Sequence, residues 1–511
     1  MTRHPLALLI PVLAALLVTS GCRTSSDAPV WQHSTSIKVP EPPREFRAVW
    51  VATVANIDWP SEPGLSPRAQ RREIEALLDT FERLRFNAIV LQVRPAADAI
   101  FPGGPEPWTE FMQGKSGKGP FPPYDPLRKW IELSHDRGMD VHLWINPYRA
   151  RHIAEDGPSS ADRITERRPD LVREHNGYLW LDPSEPEAIA HSLEVVTDLL
   201  RRYDADGVHM DDYFYPYPGD DGEFDDEADY LAALAAEPGL TRPAWRRRHV
   251  NRFVRELGET VRREKPNALF GISPFGIWRP DHPAGIRGFD AYERLAADAK
   301  LWLEQGWVDY LAPQLYWPIE SEGQPFGPLL DWWLGVNAQD RHVWPGIYTS
   351  RIKAADSEAV SWEPDQIVRQ IAVTRDAIED DSGHIHFSAI ALLEDRRAIT
   401  ETLVAETYTT DAVPPASPWL HETPPNPPRV KARVRRDGSV SVRWSHRNPQ
   451  GVVRRWVVQH RGPEGVWRTS VVPPEARSFD APEGTLAVAV RAGGANGALG
   501  DPVVRALAAE R

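Results

Sequence analysis

A chain of 511 residues, 41% hydrophobic and 26% charged, carries enough apolar content for two or more folded domains and is neither a disordered polymer nor a low-complexity repeat. Its net charge of −14, from 59 Lys and Arg against 73 Asp and Glu, argues against nucleic acid as a partner. The single cysteine, Cys22, excludes disulfides within the chain and a cysteine-based metal site.

The first residues read as a targeting segment. Arg3 and His4 precede an apolar stretch over 6–18, which is too short to span a bilayer as a mature helix. It ends in Thr19-Ser20-Gly21-Cys22. Small residues ahead of a lone cysteine resemble a bacterial lipoprotein signal, with Thr19 where such signals usually carry Leu or a similar residue. The expectation is a signal peptide over 1–22 with Cys22 lipidated and the chain anchored to a membrane. Arg23 is not the Asp that retains such proteins at the inner membrane, which favours the outer membrane facing the periplasm. Residues 23–44 are polar and Pro-rich and are expected to be a tether.

From 45 to 410 strand-like apolar runs alternate with helix-like segments. The predicted strands are 46–54, 87–94, 140–146, 207–211, 268–274, 308–315, 342–348 and 384–392. Most are continuous apolar runs, as expected of parallel strands buried on both faces. Predicted helices include 68–84, 187–202, 245–263 and 291–305. The stretches 95–126, 147–184 and 212–244 are long loops. Eight strands alternating with helices predict an α/β fold, a (β/α)8 TIM-type barrel.

A second composition shift falls at 411–428, where seven prolines mark an interdomain linker. Residues 429–511 then carry short alternating strands at 430–434, 439–444, 455–460, 466–471 and 485–491, with Trp444 and Trp456 as core aromatics. They predict a small all-β sandwich that resembles a fibronectin type III module.

In such barrels chemistry sits where strands run into the following loops. Polar residues at those ends are Asn56, Asp58 and Trp59 after the first strand, and Gln92 and Arg94 at the second. Asn146, Tyr148 and Arg149 follow the third, with His142 inside it. His209, Asp211 and Asp212 close the fourth; Ser273, Trp278 and Arg279 follow the fifth; Gln314, Tyr316 and Trp317 end the sixth. The most informative string is DGVHMDDYFYP (206–216): a short buried strand ending in two adjacent acids and an aromatic run. Carboxylates serve glycoside hydrolysis as acid, base or nucleophile, and flat rings pack on sugar faces. The competing use of such acids is to cap a helix. Asp211, at the strand end, is the main candidate for catalysis and Asp212 its neighbour, whose like charge would raise one pKa. Adjacent strand residues point to opposite faces, so the second carboxyl could instead be Asp58, Glu106, Asp182, Glu320 or, less suited by its early place in a strand, Asp309.

His142 and His209 near Asp211 lack the spacing of a metal motif and read as core histidines, as do His384 and His386. No nucleophile elbow and no phosphate-cradling glycine loop occurs, and neither a metal nor a cofactor is expected. Twenty Trp serve either a large core or carbohydrate platforms.

Eight ordered strings now carry a family resemblance. They are FRAVWVATVANIDWP (46–60), NAIVLQVRPAADAIF (87–101), EPWTEFMQGKSGKGP (106–120), YDPL (124–127), RGMDVHLWINPYRA (137–150), YDADGVHMDDYFYPYP (203–218), GISPFGIWR (271–279) and VDYLAPQLYW (308–317). Together they resemble the bacterial family-10 glycosyl-hydrolase-like lipoproteins, which are distinct from the xylanases sharing that number. The resemblance implies an exported, often lipid-anchored barrel acting on cell-wall glycan, and cleavage of peptidoglycan strands already stripped of stem peptides. It implies a cleft containing Arg94, Asn146, Tyr148, Arg149, His209, Asp211, Asp212, Gln314, Tyr316 and Trp317, to which strand-end position adds Asp58. Arg94 and Arg149 would suit the lactyl carboxylate of an N-acetylmuramic unit, or equally a salt bridge in the barrel mouth. The string at 206–216 also resembles the chitinase-like signature DGxDxDxEYP, but no Glu precedes Tyr215-Pro216. Substrate assistance by an N-acetyl group would then have to use Asp211 or Asp212. A non-catalytic glycan-binding lipoprotein, or a hydrolase of another polysaccharide, is the alternative.

Overall fold

The computed structural model describes Met1 and residues 31–354, 357, 359–420, 423–446 and 453–507. The expected signal segment and Cys22 lie outside the described residues. Among the described residues no helix is long and apolar enough to cross a membrane.

Eight parallel strands form the barrel: β1 (Phe46–Val51), β2 (Ala88–Arg94), β3 (Asp140–Ile145), β4 (Gly207–Met210), β5 (Leu269–Ile272), β6 (Tyr310–Leu311), β7 and β8 (Gly383–His386). β7 is split into His342–Val343, which pairs with β6, and Gly346–Ile347, which pairs with β8. β8 pairs back onto β1 with Ile385 opposite Ala48, so the sheet closes. The predicted TIM-like barrel is what the chain forms.

Side chains alternate between two cores. Phe46, Ala48, Trp50, Val90, Trp144, Leu269, Tyr310, Trp344 and Ile385 fill the lumen. Val49, Ile89, Leu91, Val141, Leu143, Val208 and Met210 pack outward against the helices. Burial on both faces is why these strands read as unbroken apolar runs. Helices Pro67–Arg83, Pro186–Arg202 and Arg242–Glu264 lie where periodicity placed them, each opening with Pro in its first turn.

Three predicted elements are broken or end early. The strand read over 308–315 is continuous only at Tyr310–Leu311; Pro313, with no N–H to give, interrupts it, and pairing resumes as single bridges from Gln314 to Phe275 and Gly346. The strand read over 384–392 stops at His386, and Ala389–Leu393 is helical, its Ile390 N–H held by Asp58 Oδ1 at 2.8 Å. The helix read over 291–305 divides into Ala291–Arg294 and Ala299–Glu304, and Asp298 caps the second piece through Leu301 N.

The C-terminal part is a sandwich of β9 (Arg429–Val434), β10 (Val440–Ser445), β11 (Arg455–Arg461), β12 (Trp467–Val472), β13 (Ser478–Ala481), β14 (Ala487–Gly493) and β15 (Val503–Leu507). β9, β10 and β13 form one sheet; β12, β11, β14 and β15 form the other, extended at its edge by Trp31–His33 pairing with β15. Residues expected to be a free tether thus contribute a strand. Trp444 and Trp456 meet between the sheets with ring centroids 5.7 Å apart.

The sandwich docks on the end of the barrel where strands begin. Arg455 pairs with Asp140 at the start of β3, and both are buried. Arg454 reaches Asp204 at 2.7 Å and Asp206 at 3.3 Å, ahead of β4, and Asn496 donates to the Asn267 carbonyl ahead of β5. The linker closes this same end: Leu420 enters the lumen core and Trp419 Nε1 donates to Asp309 at 2.8 Å. The other end, where strands finish, stays open.

Candidate active site

Lumen residues lead up to the open end of the barrel. One layer of them is a hydrogen-bonded chain across the barrel. Trp50 Nε1 donates to His209 Nε2 at 3.1 Å, which leaves the proton of His209 on Nδ1, 2.9 Å from the Tyr310 hydroxyl. Tyr310 in turn donates to His142 Nδ1 at 2.8 Å. Tyr310 crosses the lumen only because position 271 is glycine: a Cβ there would sit 1.9 Å from its ring. Burial lowers the pKa of His142 to about 4 and that of His209 well below its usual value, so both are neutral at physiological pH. His209, expected among the substrate contacts, is completely buried and supports the floor from below.

Above that layer lies a well of about 190 Å³ whose lining includes Trp50, Gln92, Trp144, Arg149, Asp211, Asp212, Ser273, Gln314 and Tyr316. Asp211 follows the last ladder residue of β4. Trp144 Nε1 donates to its Oδ2 at 3.0 Å, and Asn146 Nδ2 reaches Oδ1 at 3.2 Å. Asn146 also shapes the next loop, since its Oδ1 accepts from the Arg149 amide at 2.8 Å. One residue thus orients the acid and places Arg149 over it.

Asp212 enters the same well. Ladder pairing ends at Met210 and the chain turns, with the Phe214 amide donating to the Asp212 carbonyl at 3.2 Å. The alternation that would have turned Asp212 away therefore no longer applies. Its Oδ2 accepts a hydrogen bond from the Tyr217 hydroxyl. Burial pushes the Asp211 carboxyl up to about 6, against the opposing charge of Arg149 and with help from Asp212. Burial also raises Asp212, opposed by hydrogen bonds from Tyr217 and Gln314. Two neighbouring carboxyls that both hold protons more tightly than usual can divide the roles of proton donor and carboxylate.

The other carboxyls considered from sequence are committed elsewhere. Asp58 accepts from the Ala52 and Ile390 amides at 2.7 and 2.8 Å and from Ser388 Oγ at 2.8 Å, which ties β1 to the segment after β8. Burial pushes it up to about 6, but it lines no part of the well. Glu106 pairs with Arg94 at 2.6 Å and His191 at 2.8 Å. Asp182 accepts from Ser184 Oγ at 2.7 Å, Glu320 is exposed beside Arg369, and Asp309 lies at the far end of the barrel. Among the described residues, Asp211 and Asp212 are the carboxyls that line the well.

The structure therefore brings together Asp211, Asp212, Asn146, Arg149, Gln314 and Tyr316. It does not bring Tyr148 or Trp317 to them, and it brings Arg94 only to the backbone carbonyl of Asn146, outside the lining of the well. A register shift between Gln92 and Arg94 turns the Arg94 side chain away from the inward face, into its fully buried pairing with Glu106. Tyr148 packs outward on Phe253 of the helix Arg242–Glu264, centroids 5.2 Å apart. Trp317 packs on Phe275 at 5.6 Å, beside the well rather than in it.

A groove of about 630 Å³ leads from the well, and its lining includes Tyr178, Trp180, Tyr213, Tyr217, Asn176 and Asp221; Arg149, Tyr178 and Tyr213 belong to both spaces. The Arg149 guanidinium lies over the Tyr213 ring at 4.3 Å and forms no ion pair with a carboxylate among the described residues. The groove wall is a small antiparallel sheet of Arg149–Arg151, Tyr178–Leu181 and Val172–His175. A fully buried Arg163, paired with Glu155 and Asp98, ties this sheet to the loop after β2.

Trp50, Trp144, His152, Tyr178 and Tyr217 escaped the strand-end reading. Trp144 could have been found two residues before Asn146, on the same face of β3. Tyr178 could have been found from Asn176-Gly177, a hairpin signal inside a stretch read as loop.

Comparison with known proteins gives a consistent set of matches. The family model of glycosyl hydrolase-like 10 matches residues 45–363. The glycosyl hydrolase YngK of Bacillus subtilis is 38% identical over 394 residues, covering 76% of this chain and 76% of that protein. The glycosyl hydrolase DigH of Escherichia coli K12 is 31% identical over 411 residues, covering 74% of this chain and 91% of that protein. Among solved structures, the PgaB (BpsB) glycoside hydrolase domain of Bordetella bronchiseptica aligns with a TM-score of 0.46 at 13% identity, covering 72% of this chain and 99% of that one.

Proposed function

The chain belongs to the glycosyl hydrolase-like 10 family and is a glycoside hydrolase; we propose that it is exported and lipid-anchored at Cys22, faces the periplasm from the outer membrane, and cleaves peptide-stripped peptidoglycan strands. The observation that carries the reading is the well in which Asp211 and Asp212 stand together beside Arg149, which has no ion-pair partner among the described residues, and an aromatic groove.

Asp211 is the proton donor, in the form it holds below about pH 6. Trp144 and Asn146 fix its plane, and burial keeps its pKa near the range where a carboxylic acid can protonate a departing glycosidic oxygen. Two carboxyls that bracket a sugar ring usually stand ~5–10 Å apart on opposite sides of it. Neighbours along one chain suit a different division: Asp211 protonates the leaving oxygen, while Asp212, steadied by Tyr217, orients an N-acetyl group whose carbonyl oxygen attacks the anomeric carbon. Water then opens the cyclic intermediate. The carbon loses one C–O bond and gains another at each step: the first proton leaves with the departing hydroxyl, and the attacking water gives one of its own to the Asp211 carboxylate, which restores the acid.

Arg149 supports the choice of glycan. A guanidinium without a carboxylate partner among the described residues, at the junction of well and groove, suits the lactyl carboxylate of an N-acetylmuramic unit. Tyr178, Tyr213 and Tyr217 offer rings to neighbouring sugars. The deciding measurement is glycan release from peptide-free cell-wall strands by the wild-type protein, Asp211→Asn and Asp212→Asn. Release by the wild type that both variants lose supports the reading. Strand binding with equal release by all three overturns the catalytic assignment, and release only from other polysaccharides overturns the substrate.

A further inference from the structure

The sandwich carries a second charged surface at the other end of the molecule. Residues 429–507 hold 14 Lys and Arg against 6 Asp and Glu, in a chain whose net charge is −14. Four of these cations share the outward face of a single sheet. β9 buries Val430 and β10 buries Val440, Val442 and Trp444, so the alternate positions Arg429, Lys431, Arg433 and Arg443 face out. Arg435 continues the row and pairs with Asp480, while the other four form no ion pair among the described residues. Lys431 stands directly across from Arg443 in the ladder. Like charges directly opposed across strands destabilise a sheet, so this face gains only when an anion lies on it. A shallow groove of about 650 Å³ runs over Lys431, Arg433, Arg435, Arg436 and Arg443.

Chain length points to the occupant. The first strand of the described fold, Trp31–His33, pairs with β15, and Arg505 of β15 donates to the Val430 carbonyl of β9 at 2.9 Å. The N-terminal end therefore leaves the molecule from the sandwich. From Cys22 to Trp31 is nine residues, a span of at most ~30 Å when fully extended. A lipid on Cys22 would hold the sandwich within that distance of the bilayer. The cleft lies at the opposite end of the barrel from the docked sandwich, and so faces away from it.

We propose that the outward face of β9 and β10, centred on Lys431, Arg433 and Arg443, docks on anionic phospholipid headgroups of the membrane that anchors the chain. The choice of occupant rests on the proposed lipidation of Cys22. Lipid and basic face then act as two signals that together fix the orientation of the enzyme, with the cleft directed toward the cell wall.

The test uses the mature chain carrying Cys22→Ser, so that the face acts without its lipid. Its binding to vesicles of phosphatidylethanolamine with and without phosphatidylglycerol is measured by co-sedimentation, beside the triple variant Lys431→Glu, Arg433→Glu and Arg443→Glu. Each basic side chain near an anionic leaflet strengthens binding about fivefold, so the triple variant, which reverses three charges, is expected to bind at least about a hundredfold more weakly. Binding of the parent is expected to need phosphatidylglycerol and to fall with salt. Glycan release by the triple variant, unchanged from the parent, shows that it folds. Equal binding to neutral vesicles, or equal binding by the triple variant, overturns the proposal. So does capture by a soluble polyanion such as heparin without capture by vesicles. Lipidation is read separately, from palmitate incorporation into the wild-type chain and its loss in Cys22→Ser. Failure of the anchor and failure of the face are therefore distinguishable.

Discussion

Trp144 Nε1 donates a 3.0 Å hydrogen bond to Asp211 Oδ2, so the acid at the end of β4 takes its orientation from the strand beside it. The bond favours the ionised carboxylate, while burial favours the protonated acid, and burial is the stronger effect. Asp211 therefore titrates within reach of neutral pH instead of near the ordinary value of 3.8.

Replacing this acid by its neutral isostere should separate activity from stability. In Asp211→Asn, glycan release is expected to be abolished. Stability should move the other way. The folded carboxyl titrates at about 6 and the unfolded one near 3.8, so above pH 6 the folded protein carries an ionised group that burial disfavours. That cost, of order 1–3 kcal/mol, is complete above pH 6 and disappears as pH falls toward 3.8. Thermal unfolding should show the variant more stable than wild type at pH 7.5, with the gap closing toward pH 4. A variant less stable at both pH values would contradict a raised pKa.

The same titration sets the pH dependence of catalysis. If protonated Asp211 is the acid, kcat/KM falls as pH rises through about 6. Trp144→Phe removes a donor to the charged form, so the Asp211 pKa should rise further, by ~0.5–1 unit, and the alkaline limb should move up with it. A limb that stays in place, with only a lower maximum, would mean that Trp144 does no more than fill space.

Arg149 makes a specificity prediction. Arg149→Met keeps the packing on Tyr213 and removes the charge. Loss of a charge-assisted bidentate contact should raise KM for strands containing N-acetylmuramic units by roughly 10–100-fold, an effect of ~1.5–3 kcal/mol. A neutral oligomer of N-acetylglucosamine should be affected little. Equal losses on both substrates would remove the lactyl carboxylate as the partner.

How much of this was legible in the sequence follows from which contacts are local. β1 to β5 could be read because both faces of each strand are apolar, and Asp211 because it stands where such a strand ends. Asp212 could not be placed from alternation, since the ladder ends at Met210 and the chain turns under hydrogen bonds that periodicity does not encode. Arg94 was misplaced for a related reason: one register shift after Gln92 reverses its face. The partners that remove Arg94 and Asp58 from the cleft come from distant segments, Glu106 and His191 in one case and Ser388 and Ile390 in the other. The same was true of Trp31–His33, whose partner strand lies at the opposite end of the sequence.

Arg94 and Tyr148, two residues that the sequence placed in the cleft, give a last contrast. Glu106 is fully buried between Arg94 and His191. Burial alone would raise its pKa, but the Arg94 charge and the hydrogen bonds from His191 and Arg94 bring it down to about 2. Its contribution to stability is present above the unfolded value near 4.5 and is lost as pH falls toward 2. Glu106→Gln leaves the Arg94 guanidinium buried without a counter-charge, which costs ~3–5 kcal/mol, and chemical denaturation should show that loss at pH 7. Tyr148→Phe removes a buried hydroxyl that has no hydrogen-bond partner among the described residues. It should leave stability within about 0.5 kcal/mol of wild type or raise it, and should leave glycan release unchanged. A large rise in KM for Tyr148→Phe would return that residue to the cleft; loss of activity in Glu106→Gln without loss of stability would do the same for the Arg94 pair.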